Sequence, residues 1–191
     1  RYELTPKILL LSQAYLSSSN LPSLVQPTLE HLTELSGESS SLTVLSKTEI
    51  IYIARSARKS ISFTKDSVLI GSTLPAYCTS TGRVLLASKP RSTQLKILNE
   101  SQLIPHTEFT VTDTTKLLGI LDKVKEDGYA VVDQEVELGI CSIAIPITNR
   151  QNEVIAAINI STHTLRTASE EVKAKFLGHL KMASEYLKKI L

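Results

Sequence analysis

No strong charge of either sign marks this chain: 21 Lys and Arg against 19 Asp and Glu leave a formal net charge of +2. Nucleic-acid binding usually needs a basic patch that displaces counterions from phosphates. Basic residues adjoin only at Arg58-Lys59 and Lys188-Lys189, with no dense block, so the segment is not expected to hold DNA by itself. Cysteine is almost as scarce. Cys78 and Cys141 lie far apart without a C-x-x-C pair or a Cys/His cluster, which argues against a zinc site and against a secreted disulfide scaffold. No apolar run approaches the roughly 18 residues of a membrane span, and no charged-then-apolar leader opens the chain, so a cytoplasmic protein without membrane contact is expected. Methionine occurs once, at Met182, and the chain opens on Arg1, so a longer or processed parent is expected.

Catalytic signatures are lacking too. Acyl transfer needs an activated Ser or Cys beside a base, and neither a G-x-S-x-G elbow nor a G-x-x-x-x-G-K phosphate loop is present. His31 and His179 fall on helices among polar neighbours, and His106 follows a proline. Only His163 follows a strand that carries a serine, Ser161. The Glu135/Glu137 pair reads as a solvated loop. No enzyme, cofactor or metal is expected.

What is there is ordinary for one globular domain, with 42% hydrophobic and 21% charged residues. Thr5-Pro6 reads as a cap and first turn of a helix over 6–17, after a strand stub at 1–4. A second helix ends at Gly37, with Pro27 marking its first turn or a kink. Short strands are expected at 42–45, 50–55 and 61–63. Helices follow over 84–87, 92–100 and from Thr112 or Asp113 to Gly128. Strands over 129–132, 140–148 and 154–161 come next, the last two joined by a hairpin turn at 149–152. Thr167-Ala168-Ser169-Glu170 reads as a capping box for a closing helix whose Val172, Phe176, Leu180, Ala183 and Leu187 face inward. Helices flanking a mainly antiparallel sheet make the class α+β.

Three separated strings carry a family resemblance. Leu74-Pro75-Ala76-Tyr77-Cys78-Thr79-Ser80-Thr81-Gly82-Arg83-Val84-Leu85-Leu86-Ala87 resembles the central signature of IclR-type effector domains. Asp133-Gln134-Glu135-Val136-Glu137-Leu138-Gly139-Ile140-Cys141-Ser142-Ile143-Ala144-Ile145-Pro146-Ile147 resembles the second. Ala156-Ala157-Ile158-Asn159-Ile160-Ser161 is similar to the strand that follows. Arg1-Tyr2-Glu3-Leu4-Thr5-Pro6 resembles the end of a winged-helix wing. The resemblance implies a GAF-like fold, a curved antiparallel sheet flanked by helices with a ligand cavity. It also implies a division into a wing stub with linker helix (1–20) and an effector-binding domain (21–191). Tyr52-Ile53-Ala54-Arg55-Ser56 and Ala14-Tyr15-Leu16 look most like β-ketoadipate-pathway regulators. These respond to protocatechuate, 4-hydroxybenzoate or β-ketoadipate, so a small aromatic carboxylate inducer is expected, protocatechuate first. Partners implied are a second copy, as homodimer or tetramer, and DNA only through a separate N-terminal domain. A ligand-free dimerisation scaffold, or a small hydrolase, stands as the alternative.

A buried carboxylate needs donors. Thr79, Ser80, Thr81 and Gly82 precede a helix whose first N–H groups lack intrahelical partners, so they form either a carboxylate cradle or a plain cap. In the cradle reading, Gly82 lets the ligand approach the backbone. Arg55 either forks onto the carboxylate or pairs at the surface. Arg83 is expected to pair structurally with Asp133 or Glu135, with contact to the ligand as the alternative. By the resemblance, Ser142, Asn159 and Ser161 line the cavity; the other reading of Asn159 and Ser161 is a solvated face. Cys141 joins the site on the same late strands. Asp133 either accepts from a phenolic hydroxyl or forms a structural pair. Leu74, Tyr77, Ile143 and Ile158 are candidate apolar walls, or plain core.

Overall fold

Apolar residues recur at helical spacing over Leu21–Ser36 (α1), where Val25, Leu29 and Leu32 are buried. Gly37, at φ 69°, ends the helix in the left-handed conformation that glycine adopts without a Cβ penalty. Pro22 occupies the first turn, while Pro27 lies inside the helix. A computed structural model describes residues 5–7, 10, 11, 13, 14, 20–57 and 68–191. The strands expected at 1–4 and 61–63, and half of the residues of the helix expected at 6–17, lie outside the described residues.

Two strands follow α1, Ser39–Ser46 (β1) and Glu49–Ser56 (β2), then a three-residue strand, Thr73–Pro75 (β3). A 3-10 turn at Ala76–Cys78 leads into Ser80–Ala87 (α2), Arg91–Glu100 (α3) and Thr114–Asp127 (α4). Ala130–Asp133 (β4), Ile140–Thr148 (β5) and Val154–His163 (β6) complete the sheet, and Val172–Ile190 (α5) closes the chain. The strand order is β3-β2-β1-β6-β5-β4, and every neighbouring pair is antiparallel. The six-stranded sheet curls into a half-barrel within an α+β fold. A bulge where β1 passes from Leu42 to Thr43, with Ile53 the extra residue of β2, is one source of that curl.

Side chains alternate across each strand, and the two faces are covered by different helices. Leu42, Ile143, Ile145, Ile158 and Ile160 pack with the α1 stripe and with Val172, Phe176, Leu180 and Leu187 of α5. Tyr52, Ala144 and Ala157 pack on the other face with α2 and with Leu117 and Leu121 of α4. All five residues expected to face inward on the closing helix are buried. The capping box is not formed. Thr167 is buried and accepts a hydrogen bond from Lys175 Nζ at 3.0 Å, Ala168 stands at the cap, and the α-helix begins at Val172 after a 3-10 turn. Asp113, by contrast, does cap α4, accepting from the Lys116 N–H at 2.7 Å.

Candidate functional site

The α2 face of the sheet carries a polar row. Residues directly opposite on antiparallel strands share a face. Ser41 lies opposite Arg55 on one side and Asn159 on the other, and Asn159 lies opposite Ala144. Ser161 and Ser142 form the next rung. The Ser142 hydroxyl bonds that of Ser80, the first residue of α2, at 2.9 Å. The structure therefore brings Arg55, Ser80, Ser142, Asn159 and Ser161 onto one side.

Buried polar atoms normally find partners. Among the described residues, four buried side-chain atoms do not: Thr43 Oγ1, Arg55 Nε, Asp133 Oδ1 and Asn159 Oδ1. Thr43, Arg55 and Asn159 all lie on the α2 face. Asn159, 4% exposed, donates from Nδ2 to Ser161 Oγ at 3.0 Å. Turning the amide over would merely strand the other end. Arg55 donates to the Val68 carbonyl. Burial lowers its pKa, and nearby Tyr52 opposes that shift. No ion pair among the described residues engages it.

The α2 N-terminus differs from a simple cradle. Thr79 is the N-cap; its hydroxyl accepts the Gly82 N–H at 3.2 Å and donates to Pro75 O at 3.0 Å, so it is already engaged. Gly82 does not make room for a ligand: a Cβ there would lie 2.2 Å from the Ala76 carbonyl oxygen, so the missing side chain admits the protein's own backbone. Ser80 and Thr81 are buried on the first turn. Tyr77 is buried with its hydroxyl on the Ile104 carbonyl at 2.6 Å and its ring stacked on His106, which ties it to the loop rather than to the polar row. Leu74 sits on β3 opposite Ile50, at the sheet edge.

Strand alternation separates the remaining candidates. Asp133 lies opposite Cys141, and Cys141, Ile143 and Ile158 project into the core beneath α1 and α5. They stand back to back with Ser142, not beside it. Arg83 pairs with Glu135, the second of its two expected partners. Ser41 and Thr43 were missed. Their polar alternation with Leu42 and Val44 along β1 is the signal that would have found them.

Both thiols are free. Burial, reinforced by Glu135, pushes Cys78 up to about 12; burial, reinforced by Asp133, pushes Cys141 up to about 11. The thiolate is the nucleophile, so at pH 8 a thiol reagent is expected to modify the folded chain far more slowly than the urea-unfolded chain. The folded values lie above the unfolded thiol value of about 8.5. Stability from this source is therefore complete below that pH and declines as pH rises towards 11. A thermal melt series from pH 7 to 10 reads it. Rapid labelling of the folded chain at pH 8 would contradict the burial argument.

The half-barrel sheet with helices on both faces defines the domain as α+β. Residues 13–189 match the family model described as the bacterial transcriptional regulator IclR C-terminal domain, and the chain belongs to that family. It is 39% identical over 97% of its length to the Pca regulon regulatory protein of Pseudomonas putida, spanning 64% of that protein. It is 32% identical over 98% of its length to the p-hydroxybenzoate hydroxylase transcriptional activator of Acinetobacter baylyi, spanning 70% of it. Among solved structures, the inducer-binding domain of a PobR double mutant from Acinetobacter, in complex with 3-hydroxybenzoic acid, superposes with a TM-score of 0.85. That match, at 30% identity, covers 91% of this chain and all of the other. These relatives are regulators, and the chain is a regulatory domain rather than an enzyme. No helix among the described residues is long and apolar enough to cross a membrane.

Proposed function

We propose that this domain, residues 21–191, senses a small aromatic carboxylate, protocatechuate first and 4-hydroxybenzoate second, for an IclR-type regulator. The carrying observation is the pair of orphaned groups flanking Ser41 in one row, Arg55 Nε and the free end of the Asn159 amide. Adjacent strands lie about 4.8 Å apart, so two strand spacings separate Arg55 and Asn159 by about 10 Å. A benzene ring with a carboxylate at one end and a hydroxyl at the other bridges that span with a hydrogen bond at each end. The guanidinium fork suits the carboxylate. A phenol donates and accepts, so it satisfies Asn159 whichever way the amide lies. The names of the P. putida and Acinetobacter relatives, and the 3-hydroxybenzoic acid in the PobR domain, support the same ligand class.

In the whole regulator the remaining third would read DNA, as a dimer or tetramer, and the ligand would act by population shift. It moves the equilibrium only by its differential affinity for the two states. Calorimetric titration of this chain against protocatechuate, 4-hydroxybenzoate, β-ketoadipate, pyruvate and glyoxylate tests the reading. Heat with the aromatic acids alone is expected; binding of pyruvate or glyoxylate instead would exclude it. Asn159→Leu removes the hydroxyl's partner at similar size. It should weaken protocatechuate by about tenfold, or about 1.4 kcal/mol, while leaving benzoate nearly unchanged. Equal losses for both acids would remove Asn159 from the site.

A further inference from the structure

The first turn of α2 is held from three directions. Thr79 ties back to Pro75, Ser80 reaches across to Ser142, and Arg83 turns its guanidinium back toward the loop that precedes the helix. Arg83 is 3% exposed, and its Nε donates to the Tyr77 carbonyl at 2.8 Å. Its two terminal nitrogens fork onto the Glu135 carboxylate at 2.6 and 2.7 Å. Glu135, 6% exposed, also accepts the Val111 N–H at 3.0 Å. Thr107 and Thr110 donate to the Gln134 and Glu135 carbonyls, each at 2.6 Å. One carboxylate thus joins α2, the turn after β4, and the 101–113 segment between α3 and α4.

A buried ion pair is weak evidence for stability, because desolvation offsets the attraction and apolar replacement of both partners is often neutral or better. A bidentate fork does fix direction and distance. Here it fixes the helix tip whose Ser80 meets Ser142, one rung from Asn159. We infer that the Arg83–Glu135 pair is a positioning element of the ligand site: it sets the stand-off of α2 above Ser142 and Asn159, and thereby which ring-substituted acid the site prefers. The inference rests on the aromatic-acid reading above.

The double variant R83M/E135M removes both charges together and strands neither. Titration with 3-hydroxybenzoate and 4-hydroxybenzoate, with a thermal melt as control, gives the ratio of the two dissociation constants. The ratio is expected to change by at least about fivefold, and the preferred acid to weaken by about tenfold. A purely structural pair behaves differently. Any loss of folded population multiplies both constants by the same factor and leaves their ratio unchanged. A ratio within about twofold of wild type overturns the inference. If the double variant does not fold, Glu135→Asp keeps the charge and shortens the reach, and the same ratio decides. Wild-type chain that binds neither acid overturns the ligand reading and this inference together; wild-type binding with an unmoved ratio overturns this inference alone.

Discussion

Arg55→Ala is expected to weaken protocatechuate and 4-hydroxybenzoate by roughly 10- to 100-fold, because hydrogen bonds to charged groups contribute about 1.5–3 kcal/mol. The same substitution should leave the melting temperature unchanged or higher. In the free domain the guanidinium is partly desolvated, its Nε has no partner, and no ion pair among the described residues compensates it. Deleting it removes a desolvation cost and forfeits one bond to the Val68 carbonyl. Binding and stability then move in opposite directions, as at sites where function is held against stability. Arg55→Lys should recover only part of the affinity, since an ammonium keeps the charge but not the fork. Calorimetry and a thermal melt on the three proteins read both quantities. An unchanged dissociation constant for Arg55→Ala, or a collapse of the fold, would show that Arg55 is structural.

Periodicity made much of the fold legible. The stripes on α1 and α5, the glycine stops at Gly37 and Gly128, and the hairpin between β5 and β6 are local events that their own residues determine. The α2 boundary was not legible in the same way. Its first turn, Ser80-Thr81-Gly82-Arg83, contains none of the apolar residues that mark a helix, and it is stabilised by tertiary bonds from Ser142 and Glu135. β3 escaped because three residues are too few to show alternation. Thr167-Ala168-Ser169-Glu170 matched a local pattern that lost to a contact from Lys175.

The site shows the same division. Alternation alone separates Ser142 from Cys141 and Ile143, and the pairing of Asp133 with Cys141 extends that separation to β4. What alternation could not supply was cross-strand register, which sets Ser41 between Arg55 and Asn159. Register depends on the bulge after Leu42 and on pairing between strands more than a hundred residues apart in the chain. The role of Gly82 was likewise out of reach, because its neighbour is backbone rather than any side-chain pattern.

That neighbour makes Gly82 the position where the smallest change should do the greatest harm. A Cβ at residue 82 would lie 2.2 Å from Ala76 O and 2.5 Å from Ala76 Cα, and backbone cannot rotate aside as a side chain does. Gly82→Ala must lift α2 off the 3-10 turn, breaking the Thr79 cap and drawing Ser80 away from Ser142. The expected cost exceeds about 4 kcal/mol, in the range reserved for overpacking that nothing nearby relieves. Gly178 supplies the internal control. It lies within α5, a Cβ there meets nothing within 4 Å, and alanine is the better helix former. Gly178→Ala should therefore stabilise the chain by about 0.5–1 kcal/mol. Urea titrations of the two variants beside the parent measure both signs at once. A Gly82→Ala protein that unfolds near the parent midpoint would mean that α2 does not approach the turn as closely as described, and the placement of Ser80 over the polar row would fall with it.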